Sequence, residues 1–308
     1  MRLTALAGGT GAAKLLRGLA TCIPPSRLTV IGNTGDDTRV WALHVSPDLD
    51  TVVYALAGVL DVERGWGRAL ETFRCRDAMA ALGADTWFTL GDQDLATHLV
   101  RTEALAAGRA LSDVTAEIAR RLGVAARVLP MSDDPVRTRV RTPESWLAFQ
   151  EYFVRERARP KVIDVEYAGA DRARPAPGVL DAIGAADVVV VCPSNPVTSI
   201  GPILAVPGIH DALCATAATV VGVSPIVGEA AVSGPAAALM RARELPVSAV
   251  GVAMAYRPWL DALLVHVTDA DRAPEVGALG VRAVLGDILM PDHAREVALA
   301  RAVLEAAR

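Results

Sequence analysis

Residues 3–19 read LTALAGGTGAAKLLRGL, and the fold turns on how that stretch is read. Five residues, Leu3–Ala7, form a short run with the length and composition of a buried strand. Gly8, Gly9, Thr10 and Gly11 then make a glycine-rich turn, and Ala12–Ala20 carries the spacing of a helix. Glycines let backbone approach a ligand closely, and a helix start presents unpaired N–H groups and partial positive charge. The turn therefore suits a phosphate or nucleotide, or tight packing alone. It lacks the P-loop pattern G-x-x-x-x-G-K-[ST], and its glycine spacing is not G-x-G-x-x-G.

The strand–helix alternation continues along the chain. Strand-like runs recur at Leu28–Ile31, Ala126–Leu129, Val162–Val165, Asp187–Cys192, Thr219–Val223, Leu263–Val267 and Val281–Leu285. Helical stretches lie at Gly178–Ile183, Pro235–Arg243 and His293–Ala307. Continuously apolar strands joined by helices predict an α/β fold, Rossmann-like, with a mostly parallel sheet covered on both faces. Ligands bind such sheets at the carboxyl ends of the strands. We read residues 1–308 as a single α/β domain with a helical insertion at roughly 60–160. Within the middle region Asp50, Asp94 and Ser112 are expected as helix N-caps and Gly123 as a helix stop. VRTRVRT (136–142) is expected as an exposed strand and WLAFQEYFVRERARP (146–160) as a charged amphipathic helix.

Composition narrows the function. The net charge of −4 argues against a nucleic-acid scaffold. The sequence has no long uninterrupted apolar tract for a membrane span, and MRLTALAGGTG is too short in its apolar part for a secretory segment. Cys22, Cys75, Cys192 and Cys214 are scattered, as expected of reduced thiols in the cytoplasm. The five histidines do not cluster as a zinc set.

Chemistry-bearing residues collect in a few places. NTGDDTRVWALHVSPDLD (33–50) puts Asp36, Asp37, Asp48 and Asp50 in turns beside apolar elements. Hard cations such as magnesium prefer carboxylate oxygens there. Locally, Asp48 reads as a turn residue and Asp50 as a cap, so a metal or substrate role and a structural one both stand. FTLGDQDLATHLVR (88–101) carries Asp92, Gln93, Asp94, His98 and Arg101. VVVVCPSNPVTSIGPIL (188–204) ends a buried strand in Ser194, Asn195 and Ser199, hydrogen-bonding groups where a parallel sheet places its ligand. PMSDD (130–134) reads as a polar loop. Together these fit magnesium-assisted phosphoryl or nucleotidyl chemistry.

In order along the chain, GGTG, NTGDD, SPDLDTVVYALAG, LGDQDLATH, PMSDD, FQEYFV and CPSNPVTSIGPIL resemble the 2-phospho-L-lactate transferases of coenzyme F420 biosynthesis, in their bacterial phosphoenolpyruvyl branch. The resemblance spans essentially the whole chain. It implies a Rossmann-like core, a homodimer and dependence on Mg2+. It also implies transfer of a phosphoenolpyruvyl or 2-phospho-L-lactyl group from a guanosine diphosphate-linked donor. The acceptor is the ribityl hydroxyl of the deazaflavin Fo, and GMP leaves. On that resemblance Asp36, Asp37 and Asp50 are expected at the metal, with Asp37 or Asp50 orienting or deprotonating the hydroxyl. Gly8, Gly9, Thr10, Gly11, Asn33, Gln93, Ser194, Asn195 and Ser199 are expected to bind the nucleotide or acceptor. Three positions depart from the family pattern: Ala12 follows Gly11 where a second glycine pair is common, Gln93 stands where Arg or Lys is frequent, and Ala42 replaces a usual glycine. Arg101 is a candidate to replace the cation missing at position 93. The rival reading is a non-enzymatic nucleotide-sugar-binding regulator related to the gluconeogenesis-factor family. An NAD-dependent oxidoreductase is disfavoured by the glycine spacing.

Overall fold

In the computed structural model, which describes residues 1–308, the strand-like run at Val162–Val165 forms Asp164–Ala168 of a separate antiparallel sheet, while the other seven of the eight runs assemble into one seven-stranded sheet. Its strands are β1 (Leu3–Ala7), β2 (Leu28–Gly32), β3 (Arg127–Pro130), β4 (Val188–Val191), β5 (Thr219–Val223), β6 (Ala262–His266) and β7 (Arg282–Gly286). Their spatial order is β3-β2-β1-β4-β5-β6-β7, and every neighbouring pair is parallel. Leu6 on β1 stands between Ile31 of β2 and Val191 of β4. The chain runs outward one way from β1 through β2 and β3, then returns to β4 and runs outward the other way. The β1/β4 junction is thus the topological switch point, where a doubly wound sheet opens a crevice beyond its strand ends.

β1 and β4 are buried along their whole length, which explains why neither alternates in polarity. Successive side chains go to opposite faces: Leu6 and Val191 join one apolar cluster of 38 buried residues, while Ala7 and Val190 join another of 35. Two clusters of similar size mean that both faces are covered, as the sequence predicts. Helix α1 (Gly9–Cys22) buries Leu15, Leu16 and Leu19 against the second cluster, each burial contributing roughly 1.5–3 kcal/mol. It also packs on the C-terminal helix His293–Ala306. At that crossing a Cβ on Gly18 would stand 2.2 Å from the Glu296 carbonyl oxygen, so only glycine permits the approach.

The middle region departs from expectation in three ways. First, Arg127–Pro130 falls inside the stretch expected as an insertion but belongs to the main sheet. The helical part is α2 (Pro47–Leu56), α3 (Arg74–Ala81), α4 (Asp92–Ala106) and α5 (Leu111–Arg121). Second, WLAFQEYFVRERARP is not a helix. Trp146–Ala148 pairs antiparallel with Arg137–Arg141, which also pairs with Asp164–Ala168, and only one wide turn, Glu151–Arg155, follows. The Arg139 guanidinium lies over the Trp146 ring, and strand pairing wins over the charge pattern that suggested a helix. Arg137–Arg141 is half-buried rather than exposed, with Thr138 and Val140 turned inward. Third, the caps move. Ser46, Gly91 and Ala110 precede the helices, so Asp50, Asp94 and Ser112 lie inside the first turns. Pro47 causes the first shift, since its fixed φ starts a helix well. Gly123 does close α5: its N–H reaches Arg120 O and that of Val124 reaches Ala119 O, with Gly123 at φ +79. No single helix is long and apolar enough to cross a membrane.

Candidate active site

β1 and β4 deliver their loops side by side at the switch point. Gly8 extends β1 in β conformation and Gly9 turns at φ +74 into α1. The buried Ser194 hydroxyl ties the loops together, donating to Gly8 O at 2.8 Å and accepting from Gly8 N–H at 3.2 Å. A Cβ on Gly11 would meet the Pro193 carbonyl oxygen at 2.4 Å. Asn195 caps the turn Pro196–Ile200: its Oδ1 accepts from the N–H groups of Val197 at 2.9 Å and Thr198 at 3.3 Å. That leaves the Asn195 amide NH2 without a protein partner.

The acidic turns form the neighbouring wall. Asp36, Asp37, Asp48 and Asp50 are all buried, as is Asp94 from α4. Asn33 lies beneath them, fully buried, its amide donating to Asp48 Oδ2 at 2.8 Å and to Thr198 O at 3.2 Å. It knits the acidic turn to the Asn195 turn and does not line the cavity. Gln150 donates to Asp36 Oδ2 at 2.9 Å. Asp37 Oδ2 takes the Ser46 hydroxyl at 3.0 Å and faces His44 Nε2 at 2.9 Å, while its Oδ1 is buried with no partner. Burial, then repulsion from Asp48 and Asp37, pushes the Asp36 carboxyl well above the usual range. Burial pushes Asp48 up to about 6 despite the Asn33 amide and the Gly9 N–H that favour its charged form.

Asp50 is differently placed. Both its oxygens are taken by Arg101, Nη1 reaching Oδ2 at 3.0 Å and Nη2 reaching Oδ1. His98 bridges this pair to the next, with Nδ1 3.7 Å from Asp50 Oδ2 and Nε2 3.3 Å from Asp94 Oδ1. Tyr54 donates to Asp94 Oδ1 at 2.7 Å. Burial opposes the charge on Asp94, but the adjacent His98 imidazole and the hydrogen bond from Tyr54 prevail and hold its carboxyl below the usual range. Burial, then the charges of Asp50 and Asp94, raises the Tyr54 hydroxyl well above its ordinary value. Gln93 turns away: its side chain donates to Leu70 O at 3.0 Å, outside the cavity lining. Arg101 is sealed against Asp50 and does not line the cavity either.

These parts surround one cavity of about 850 Å³. Gly8, Gly9, Thr10, Gly11, Ser194, Asn195 and Ser199 line one end. Asp36, Asp48, Asp50, Asp94 and His98 line the wall. Phe88, Phe149 and Phe153 also line the cavity, as does Trp66 on the loop whose Gly65 O bonds Thr10. Asp37 stands just behind the surface. Sequence reasoning underweighted Asp48, which reads as a turn residue until the fold sets it beside Gly8. It missed the Arg64–Gly67 loop, although a charged RGWG between helical stretches was a visible irregularity. The turn Val232–Pro235 and Ile288–Pro291 were also missed, and nothing local in those segments marks them.

Relatives match both sequence and fold. The profile of the family described as 2-phospho-L-lactate transferase CofD matches residues 3–278. The chain belongs to that family. It is 48% identical over 313 residues to a phosphoenolpyruvate transferase of Streptomyces griseus, covering 100% of this chain and 98% of the relative. It is 42% identical over 297 residues to a 2-phospho-L-lactate transferase of Methanosarcina acetivorans, covering 95% of each. A solved member of the UPF0052 family from Bacillus halodurans superposes with a TM-score of 0.70 at 20% identity, covering 98% of each chain, which shows the shared fold alone. Membership makes this chain a transferase of the phosphoenolpyruvate/2-phospho-L-lactate type, consistent with coenzyme F420 biosynthesis.

Proposed function

We propose that this family member moves a phosphoenolpyruvyl group from a guanosine diphosphate-linked donor to the terminal ribityl hydroxyl of Fo, releasing GMP. One observation carries the reading: a single cavity is lined by a glycine turn and helix start suited to phosphates, by carboxylates, and by aromatic side chains suited to a tricyclic ring. Phosphoenolpyruvyl is preferred to lactyl because the relatives at 46–48% identity carry the former name and those at 40–42% the latter.

The chain's own groups divide the work. The N–H groups of Thr10 and Gly11 and the free amide of Asn195 hold the donor phosphates and nucleotide. The ribityl oxygen attacks the distal phosphorus; that P–O bond forms as the bond to the GMP oxygen breaks, and GMP departs with the electron pair. Asp50, fixed by Arg101 on the cavity wall, keeps a second lone pair on each oxygen, and one of these accepts the hydroxyl's hydrogen bond and then its proton. A weak base suffices where the transition state is loose and the proton leaves late. The stacked rings of Phe149 and Phe153, 5.6 Å apart, support an aromatic acceptor beside them.

Magnesium fits this wall. No three acidic, histidine or cysteine side chains form a ready-made cage. Magnesium, however, is usually held by one or two carboxylates plus waters and substrate phosphates. Asp36 and Asp48 face the cavity with poorly compensated charge, and Asp37 keeps an orphaned buried oxygen. Asp36 and Asp48 would hold the ion, with Asp37 behind them, whereas the charge of Asp50 is already met by Arg101. Bound there, it would neutralise diphosphate charge as a Lewis acid.

The reading includes a homodimer in the cytoplasm. Helix α3 buries none of its residues within the chain, and Leu82 beyond it is 88% exposed, which supports an intersubunit contact. The test is mass spectrometry of the products from Fo and each candidate donor, with Mg2+ or EDTA. We expect the phosphoenolpyruvyl ester of Fo and stoichiometric GMP with Mg2+, and neither in EDTA. Nucleotide binding without turnover on any donor would favour the regulator instead.

A further inference from the structure

Resting on that reaction, we infer that Arg64 receives the carboxylate of the donor's acid group and so restricts the site to guanosine diphosphate esters of acids. The cavity wall bears four carboxylates, Asp36, Asp48, Asp50 and Asp94, yet the transferred group carries a carboxylate of its own. An uncompensated anion beside that wall would be repelled. Two lysine or arginine side chains line the cavity, Lys14 and Arg64. Lys14 projects from α1, its ammonium donating to Met290 O at 2.9 Å, on the nucleotide side. Position 93, where the sequence raised the question of a missing cation, offers only an amide turned elsewhere, and Arg101 is bound to Asp50.

Arg64 is held ready for an anion. Asp61 Oδ2 takes Nη2 at 2.8 Å, and Arg68 O accepts from the same nitrogen at 2.9 Å. The guanidinium lies over Trp66 at 5.3 Å and over Phe73 at 5.2 Å. Those contacts fix it without using its whole donor set: Nε is buried with no partner, and Nη1 has no protein partner. The loop that carries it seats on the phosphate turn. Thr10 Oγ1 donates to Gly65 O at 3.1 Å, and a Cβ on Gly65 would meet the Thr10 methyl at 2.9 Å. A guanidinium beside the turn that holds the diphosphate is placed to take a carboxylate extending from the distal phosphorus. Planar carboxylates favour arginine over lysine there.

The experiment compares two synthetic donors on the full-length protein: the lactyl ester of guanosine diphosphate and its isopropyl ester, in which a methyl group replaces the carboxylate. Wild type is expected to prefer the lactyl donor by roughly 10–100-fold in kcat/KM, the worth of one charge-assisted hydrogen bond. Arg64→Met should shrink that preference to within about threefold while GDP affinity and the melting curve stay unchanged. Arg64→Lys should keep part of the preference. Equal losses on both donors, or a parallel loss of GDP affinity, would assign Arg64 to the diphosphate or to loop structure and overturn the inference. If Arg64→Met fails to fold, the preference ratio within Arg64→Lys and Arg64→Gln decides, because a ratio cancels the active fraction. Wild type that transfers from neither donor, nor from the phosphoenolpyruvyl ester of guanosine diphosphate, would instead overturn the underlying reaction.

Discussion

Arg101 and Asp50 grip each other through two parallel hydrogen bonds, with neither side chain open to solvent. The pair joins α4 to the first turn of α2, so the insertion is fastened to the acidic wall. Burial disfavours the guanidinium charge, but Asp50 more than compensates and raises its pKa. Such a pair is a poor source of net stability when intact, yet breaking it strands a buried charge.

That asymmetry sets the first forecast. Arg101→Met should lower unfolding stability by about 3–5 kcal/mol, and Asp50→Asn by a similar or smaller amount. A helix cap at Asp50 would forecast almost no change, since Asn caps as well as Asp. Urea unfolding of the two variants separates these outcomes. A wild-type midpoint for Asp50→Asn would mean that the pair carries no stability.

Asp48 makes stability depend on pH. Its folded value of about 6 lies above the ordinary 3.8, so the folded state holds the proton more tightly than the unfolded chain. The contribution is therefore full below about pH 4 and is lost as pH rises through about 6, an effect of about 3 kcal/mol at most. The raised Asp36 carboxyl acts in the same direction. Without metal, Asp48→Asn should be more stable than wild type at pH 8, and the gain should vanish near pH 4. Adding Mg2+ at pH 8 should raise the melting temperature of wild type but do little for Asp48→Asn. A melting difference independent of both pH and Mg2+ would remove Asp48 from the charged wall.

Much of this architecture is legible from residues alone, for identifiable reasons. LTALA and VVVV announce β1 and β4 because strands buried on both faces have no polar side to blur them. The loops after them are marked by glycines and by Ser194–Asn195. Asp48 is less visible because its importance comes from Gly8 and Asn33, distant in sequence and brought against it by the sheet. Trp146–Ala148 is hidden for a similar reason: its partners lie at Arg139–Arg141, and pairing overrides the helical charge pattern. Arg101 reads as a spare cation in sequence, and only the packing of α4 on α2 reveals its partner.

Asn195 has two separable jobs, and Asn195→Asp divides them. The aspartate keeps an oxygen to accept from Val197 and Thr198 N–H, so the turn stays capped. It also replaces the free amide NH2 with negative charge facing the donor. Calorimetry should show GDP affinity down by at least about tenfold with an unchanged melting temperature. Asn195→Ala should cost about 1 kcal/mol of stability as well, through the lost cap. Unchanged GDP affinity in Asn195→Asp would confine the residue to capping.

Gly8 is where the three motifs meet, so one methyl group there tests their arrangement. Its backbone is extended, at φ −161, a conformation alanine adopts without strain. Any effect of Gly8→Ala must come from space. The new Cβ would stand 2.4 Å from Asp48 Oδ2, 2.7 Å from Ser199 Cβ and 3.1 Å from Ser199 Oγ. Neither neighbour is free to retreat: Asp48 is held by Asn33, and Ser199 N–H is bonded to Asn195 O at 3.0 Å. Relief requires β1 and β4 loops to separate, which strains the two Ser194 bonds to Gly8. Overpacking of this kind costs about 1–3 kcal/mol. Gly8→Ala should therefore melt below wild type and lose GDP affinity together, because the same displacement opens the phosphate turn. Combining it with Asp48→Ala removes the nearest clash, so the pair should be less destabilised than the sum of the single changes. Strict additivity, or a Gly8→Ala protein that melts and binds GDP like wild type, would mean that the three motifs do not meet at this atom.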